Sequence, residues 1–200
     1  MRPLLLVLAL IISCFSFAQQ KQQHNSFVRP LPKPARAVND FSKLLVPSEK
    51  QYLEKELARY HKASSNAIVI ITLDSLTDPT TKKQYTVEEA ALLYFNTWGI
   101  GDSIKNNGVL LMATLKPRRL RIEVGKGLEN ILTDKVCQQI MGEKLVPNFK
   151  QKLFFTAFKE AISALEQKLD NGSSTAAISD NSTSDASQQP IGFLRFQRRQ

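Results

Sequence analysis

The pattern that most constrains the fold is an apolar run, a short basic turn and an alternating run, in that order. The first run, Val109–Leu115, is almost wholly apolar, which is typical of a strand buried on both faces. The turn Lys116–Arg118 contains a proline, which presets a turn dihedral and cannot extend a central strand. In Leu120–Val124, apolar residues alternate with charged ones, the period of a strand with one solvated face. The stretch therefore predicts an antiparallel hairpin.

Two polar loops flank this hairpin, Gly99–Asn107 before it and Gly125–Asp134 after it. Because a hairpin returns on itself, we expect both loops at the same end of the sheet. Residues 99–134 hold five of the eight glycines, which let a backbone take positive φ or come close to a ligand. We expect six polar residues to converge at this end: Asp102, Asn106, Asn107, Glu123, Glu129 and Asp134.

A second apolar run, Ala67–Leu73, predicts another buried strand, and a short strand is expected near residues 38–41. A helical crossover would make Ala67–Leu73 parallel to the first hairpin strand, whereas the hairpin strands are antiparallel. The pattern predicts helices on both faces of the sheet. The expected fold is therefore a single α/β domain over residues 38–170, a three-layer α/β/α sandwich with a small mixed sheet.

Capping patterns predict where the helices begin. Ser48 and Thr86 are each followed three residues later by Gln or Glu, the pattern of a capping box. The second helix is expected to run to about Trp98, a core residue, and to end at Gly99 in the left-handed conformation.

Two further helices are predicted after the hairpin. Thr133 can cap a helix that Pro147 is expected to break, and an amphipathic pattern predicts the last helix over Phe149–Leu169. Cys137 falls in the first of these helices. We expect it to be a buried small hydrophobe, since no histidine nearby in sequence could activate it as a nucleophile.

Residues 1–18 are predicted to be a signal peptide. A positive start precedes the apolar run Leu4–Ile12, and Ser16–Ala18 is a small-x-small cleavage site. The alternative is a lipoprotein, because Ile11–Cys14 is similar to a bacterial lipobox that would lipidate Cys14. In either case we expect export to the periplasm or outside the cell.

The two ends of the mature chain differ in composition from its middle. Residues 19–37 are polar and carry alternating prolines, which predicts an extended tether. Residues 171–200 are rich in Ser, Thr, Asn and Asp, which predicts a disordered polar tail. The apolar piece Ile191–Leu194 is too short to cross a bilayer, so no transmembrane helix is expected in the mature chain.

The net charge of +9 is spread along the chain rather than gathered in one motif. A basic balance can indicate an anionic partner, but no nucleic-acid-binding signature is present, and we expect no nucleic-acid partner. Binding to an anionic surface through the basic tails is a weaker alternative.

The residue types exclude several kinds of site. The chain has two histidines, His24 and His61, and two cysteines, Cys14 and Cys137. These are too few for a histidine zinc site or a disulfide framework, a Ser-His-Asp triad has almost no material, and no phosphate-binding glycine loop occurs. Loop carboxylates and amides remain, and they suit Ca²⁺ more than Mg²⁺ because Ca²⁺ accepts many oxygens in irregular geometry. The candidate metal ligands are Asp40, Asp102, Asn107, Glu123 and Asp134.

Two of these carboxylates have structural alternatives. Asp40 follows Asn39, and an Asn-Asp pair is common in turns. Asp134 follows the predicted cap Thr133, so it would lie in the first turn of a helix, where the helix dipole stabilises a carboxylate.

Short motifs along residues 38–169 resemble those of the TPM domain family, and they occur in the family's order. The matching segments are Val38–Asp40, Trp98–Gly101, Asn106–Leu111, Arg121–Glu129, Leu132–Asp134 and Val146–Phe149. The order carries the resemblance, since no single motif suffices. Many bacterial members have a transmembrane segment and a glycine-rich tail after the domain, and this chain departs from that pattern.

The resemblance implies two properties of the site. Family members are reported to bind calcium, and plant members to be acid phosphatases. If phosphatase activity carries over, Asp40 or Asp134 would act as nucleophile or acid/base and Arg121 would neutralise phosphate charge. The usual histidine or lysine helper is not evident in the sequence.

Two functions therefore remain. The first is a non-enzymatic exported module that engages an envelope or membrane protein, with calcium as a possible cofactor. The second is a carboxylate- and metal-dependent acid phosphatase. The sequence leaves the partner, the oligomeric state and the presence of catalysis open.

Overall fold

The computed structural model describes residues 27–32 and 35–181, with side chains described as far as residue 172. The predicted signal peptide, the lipobox alternative and residues 182–200 lie outside the described residues. The strands are β1 (Val38–Asp40), β2 (Ala67–Ser75), β3 (Gly108–Lys116) and β4 (Arg119–Val124). The helices are α1 (Pro47–Ser64), α2 (Val87–Trp98), α3 (Asp134–Ile140), α4 (Val146–Lys150) and α5 (Phe154–Asn181). A π turn, Met141–Leu145, joins α3 to α4.

The four strands form one mixed sheet in the order β1-β2-β3-β4. β1 is parallel to β2 and β2 is parallel to β3, whereas β3 and β4 form an antiparallel hairpin. The three predicted strands and the added short strand are confirmed, and so is the crossover between β2 and β3. β4 is an edge strand; of its charged residues Arg119 is exposed, whereas Arg121 and Glu123 are partly buried.

Helices cover both faces of this sheet, as the apolar strand runs predict. Ile70 and Leu111 face a core formed with α1, α3 and α5, whereas Ile71 and Leu110 face a second core formed with α2. Successive side chains of a strand point to opposite faces, so a strand with a core on each side must be apolar throughout. The α/β fold with a small mixed sheet is confirmed.

Within the predicted tether, residues 19–37, the described segment 27–32 packs on the domain and is not a free linker. Phe27 and Val28 are buried, and the Phe27 ring stacks on Tyr85 at 4.5 Å between centroids. The Trp98 indole N–H donates to the Arg29 carbonyl at 2.8 Å. The burial of these two apolar side chains therefore holds the segment against the domain, although the polar residues around them predicted only a linker.

The helix beginnings divide into one confirmed and one corrected prediction. Thr86 and Glu89 form the predicted capping box: the Thr86 hydroxyl accepts from Glu89 N at 3.1 Å, and the Glu89 carboxylate accepts from Thr86 N at 2.9 Å. The predicted Ser48 box is wrong, because α1 begins at Pro47 and the Glu49 carboxylate accepts from Val46 N at 3.0 Å. Proline at the first helical position loses no hydrogen bond.

The helical region after β4 differs from the prediction at Pro147. The chain stays helical through Pro147, because the π turn just before it relaxes the hydrogen-bond ladder that a proline would otherwise break. The last helix begins at Phe154 rather than Phe149.

The last helix also ends later than predicted. α5 extends to Asn181, which corrects the predicted start of a disordered tail at residue 171. The composition of residues 171–181 favours disorder, but the helix that precedes them carries on through this segment. No helix of the described residues is long and apolar enough to cross a membrane.

Candidate functional site

The two loops that flank the hairpin lie side by side at one end of the sheet, as predicted. We call loops Gly99–Asn107 and Gly125–Asp134 together the rim. They meet because β3 begins at Gly108 and β4 ends at Val124, and Val109 pairs with Val124. The Gly125 N–H donates to the Gly108 carbonyl at 2.8 Å. The prediction that both loops share one end of the sheet is confirmed.

Glycine is required where the second loop crosses the first. The Gly127 N–H donates to the Asn106 carbonyl at 3.1 Å. A Cβ added at Gly125 would overlap the Asn106 carbonyl oxygen, and one added at Gly127 would overlap the Lys105 carbonyl oxygen. The two loops therefore contact each other backbone to backbone, which no larger residue would permit.

Asn107 holds the first loop to the rest of the domain. Its side chain is 5% exposed; its Oδ1 accepts from the Asp102 N–H at 2.9 Å and its Nδ2 donates to the Ser65 carbonyl at 2.8 Å. The amide thus joins the loop to the end of α1. Both of its polar atoms are engaged within the protein.

Asp102 organises the tip of the same loop. Its Oδ1 accepts from the Lys105 N–H at 2.8 Å and from the Ile104 N–H at 2.9 Å. These backbone amides, Lys105 first, hold the pKa of Asp102 below its ordinary value because they stabilise the ionised carboxylate. The turn exposes Ile104, whose side chain is 88% accessible to solvent.

Four charged residues of β4 and the second loop line a small pocket. This acidic pocket has a volume of about 320 Å³, and its charged lining residues are Arg121, Glu123, Glu129 and Asp134. The Arg121 Nε donates to the Glu123 carboxylate at 3.0 Å. Asp134 lies in the first turn of α3, whose N-terminus Thr133 caps by accepting from Val136 N at 3.4 Å.

Asp40 lies away from the rim. It is paired with Thr72, which is paired with Ala113, five residues along β3 from Gly108 and therefore roughly 17 Å from the rim. Its carboxylate accepts from the Thr72 hydroxyl at 2.6 Å and from the backbone N–H groups of Leu44 and Leu45 at 3.0 and 2.9 Å. The geometry is that of the turn-forming alternative.

The predicted metal ligands occupy three separate places. Asp40 lies in the turn after β1, Asp102 and Asn107 bind backbone groups of the first loop, and Glu123 and Asp134 line the acidic pocket. Among residues 27–32 and 35–172, whose side chains are described, no three His, Cys, Asp or Glu side chains are grouped so that they could hold a metal ion. These positions do not form one shared cation site, and we derive no chemistry through a metal.

The same placement separates the predicted phosphatase residues. Arg121 and Asp134 line one pocket beside β4, but Asp40 lies on β1, at the opposite edge of the sheet. His61 is exposed at the end of α1, with Nδ1 3.1 Å from the Asn66 carbonyl, and His24 lies outside the described residues. Nothing in the described part of the pocket supplies a histidine.

Cys137 behaves as the buried hydrophobe that the sequence predicts. Its thiol lies 3.6 Å from the Leu132 carbonyl oxygen, to which it donates. Burial, and secondarily the negative charge of Asp134, raise the pKa of the thiol to about 11. The thiolate is therefore scarce near neutral pH, which does not favour a nucleophilic role.

A second concavity, which the sequence did not predict, lies at the end of the sheet opposite the rim. We call it the cationic groove; it lies between the β3–β4 turn and the helical stretch α3 to α5, and its volume is about 790 Å³. Its cations are Arg118, Arg119, Lys150 and Lys152, and its main apolar residues are Leu115, Leu120, Met141, Val146, Phe149 and Phe154. The basic residues of the β3–β4 turn are evident in the sequence. Lys150 and Lys152 lie close to that turn because of the bend between α4 and α5.

Comparison with known proteins gives the family and the fold. A family model described as TPM domain matches residues 38–168. The solution NMR structure of the N-terminal domain of a protein from P. gingivalis is similar, with 28% identity, a TM-score of 0.60, and coverage of 68% of this chain and 83% of that one. No curated protein matches.

A second solved structure supports the fold alone. The NMR structure of the BA42 protein from the psychrophilic bacterium Bizionia argentinensis is 18% identical, with a TM-score of 0.54. It covers 66% of this chain and 85% of that one.

Proposed function

The chain belongs to the TPM domain family, and from that premise we propose that it is an exported, non-enzymatic module whose rim binds a protein partner of the cell envelope. The observation that carries the proposal is the separation of Asp40 from Arg121 and Asp134. Carboxylates and a guanidinium that act on one phosphate must lie within hydrogen-bond reach of it. Asp40 and Arg121 lie on the two edge strands of the sheet, three strand spacings and roughly 14 Å apart, a distance that is too large for that.

The exposed tip of the rim supports a partner contact. Ile104 is the most exposed of the large apolar side chains in the described part of the chain. It stands on a turn that the Asp102 carboxylate holds, beside a second loop packed against the same backbone. An apolar side chain held on a fixed turn loses little conformational freedom on binding, which favours association.

Photo-crosslinking tests this contact. A photoreactive residue placed at position 104, in the full chain, is expected to crosslink to one envelope protein of the source organism. Leu92 is the matched control position, since it is also a large exposed side chain but lies on α2. Excess unlabelled wild-type protein should abolish the crosslink, and excess Ile104→Asp protein should not. Equal competition by Ile104→Asp would overturn the proposal.

One observation favours the alternative of an acid phosphatase, namely that Arg121 and Asp134 line the same pocket. Hydrolysis of p-nitrophenyl phosphate, with EDTA and with millimolar Ca²⁺, decides between the two functions. We expect no turnover above that of the Arg121→Ala/Asp134→Ala protein. Turnover that this double variant loses would establish the phosphatase instead.

Calcium dependence is a separate hypothesis with its own measurement, since the described residues contain no group of three His, Cys, Asp or Glu side chains placed to hold a metal ion. The acidic pocket, with three carboxylates, is the place to test first. Ca²⁺ at about 100 times its dissociation constant would stabilise the fold by roughly 2.7 kcal/mol, which is several degrees in unfolding midpoint. A rise that Asp134→Ala removes would support a calcium-dependent rim, and no rise in the wild type would remove calcium from the proposal.

A further inference from the structure

The lining of the cationic groove combines large apolar side chains, which form its floor, with four cations. No acidic residue lines it, and all four of its cations are solvent-exposed. The ion pairs among the described residues use Arg59 and Arg121, both outside the groove. Four like charges around one concavity raise the local concentration of anions, and low-dielectric walls strengthen that effect.

The floor of the groove is held in place by the core beneath it. The Phe149 ring makes edge-to-face contacts with Phe154 at 5.2 Å and with the buried Phe158 at 5.5 Å between centroids. Phe149 and Phe154 are themselves half-buried, so an apolar surface is available without unfolding. A volume of about 790 Å³ lies within the range of small-molecule sites, roughly 300–1,000 Å³.

Gly142, in the π turn, lines the groove. A Cβ built at this position meets no atom within 4 Å, so the space above it is empty. Met141, beside it, has a flexible side chain that can adapt to an apolar ligand.

We propose that the cationic groove binds a free long-chain fatty acid. The acyl chain would lie on the apolar floor between Leu120 and Phe154, and the carboxylate would lie among Arg118, Arg119 and Lys150. The site is at the end of the sheet opposite the rim, so this proposal does not depend on the partner contact at Ile104.

Two other anionic occupants fit less well. A bilayer is flat, and its surface cannot enter a concavity whose apolar residues lie between a hairpin and a helix. An acidic peptide would bring backbone donors and acceptors that need partners, yet the uncharged polar side chains of the lining are Thr114 and Gln138. The Thr114 hydroxyl already donates to the Pro117 carbonyl. An acyl chain has no such groups to satisfy.

A fluorescence titration of the full chain with cis-parinaric acid, a fluorescent long-chain fatty acid, tests the site. We expect saturable binding below the concentration at which the fatty acid forms micelles. Gly142→Phe should fill the groove and weaken binding at least about tenfold, which is 1.4 kcal/mol. Gly142→Ala, which adds one methyl group, is the matched control and should bind as the wild type does.

The charge requirement has a separate test. Arg118→Glu/Lys150→Glu should weaken binding at least about tenfold, which is 1.4 kcal/mol, whereas Lys55→Glu/Lys168→Glu changes net charge equally on exposed positions outside the groove and should not. Circular dichroism confirms that each variant is folded. Absent saturable binding, or binding that Gly142→Phe leaves unchanged, would overturn the proposal. Tighter binding of an acidic peptide or of anionic vesicles, lost on Gly142→Phe, would replace the fatty acid with that occupant.

Discussion

At the rim, the Asn107 amide and the Asp102 carboxylate are hydrogen-bonded to the protein itself, whereas the cations of the cationic groove face solvent and form no ion pair among the described residues. The Asn107 amide and the Asp102 carboxylate accept from backbone N–H groups of the first loop, and the Asn107 amide also donates to the Ser65 carbonyl at the end of α1. The four groove cations take part in no ion pair among the described residues. The difference teaches that the polar groups of the rim stabilise its loops and leave the apolar Ile104 side chain exposed for a partner, whereas the exposed cations of the groove are free of ion pairs and could meet an anionic ligand.

The largest loss of stability is expected when one methyl group is added at the rim. Gly127→Ala places a Cβ against the Lys105 carbonyl oxygen, so the two loops must separate. We expect a loss of about 3 kcal/mol in the free energy of unfolding, measured by urea denaturation. Gly142→Ala is the control at the groove end, where the added methyl meets no atom and a helical segment gains stability. Equal losses for both variants would show that the rim is not specially packed.

A second prediction concerns the buried amide of the rim. Asn107→Ala removes the acceptor of the Asp102 N–H and the donor to the Ser65 carbonyl. Leaving such groups unpaired should lower the free energy of unfolding by about 2 kcal/mol. Asn96→Ala, an exposed amide on α2, is the control in the same urea assay and should cost nothing measurable. A tolerated Asn107→Ala would mean that water replaces the amide.

The groove end should show the opposite behaviour in stability. Arg118→Glu/Lys150→Glu alters two exposed cations that have no ion-pair partner, so the free energy of unfolding should change by less than about 0.5 kcal/mol. The same urea assay measures it. A loss several times larger would reveal that these cations hold the hairpin to the helices and are not free to bind a ligand.

The smallest expected effect is in the pH dependence of stability. The pKa of Asp102 is lowered in the folded state, so this carboxylate contributes stability above its ordinary value of 3.8 and loses it as pH falls through the lowered value. Asp102→Asn should therefore flatten the loss of stability on acidification below about pH 4. Asp74→Asn removes an exposed carboxylate near the end of β2 and is the control. The free energy of unfolding of each protein is measured by urea denaturation at several pH values. Identical pH profiles for wild type and Asp102→Asn would contradict the assignment.

The sheet was predictable because apolar periodicity depends on local sequence. Val109–Leu115 and Ala67–Leu73 are apolar except for one threonine each because each has a core on both sides, and a run of that kind admits few alternatives. The Thr86–Glu89 box was predictable for the same reason, since both partners lie within one turn. Pro147 was misread because the π turn that accommodates it has no local signature.

The site was predictable only as far as the backbone of the loops. The hairpin places both loops at one end, but it does not determine whether a carboxylate points at a ligand or at a nearby amide. Asp40 belongs to a family motif and is nevertheless engaged by Thr72 and two backbone N–H groups. The cationic groove depends on the packing of α3 to α5 against a turn some thirty residues earlier in the chain, which no local pattern shows.

The burial of Phe27 and Val28 changes how far the domain could stand from a membrane. If Cys14 were lipidated, the number of residues between Cys14 and the buried Phe27 would limit the distance between them to at most about 45 Å, whereas the distance from Cys14 to Val38 would be limited to about 85 Å. A linker of that length would keep the domain in a thin layer next to the bilayer. The search for a partner would then reduce to proteins whose exposed parts lie in that layer.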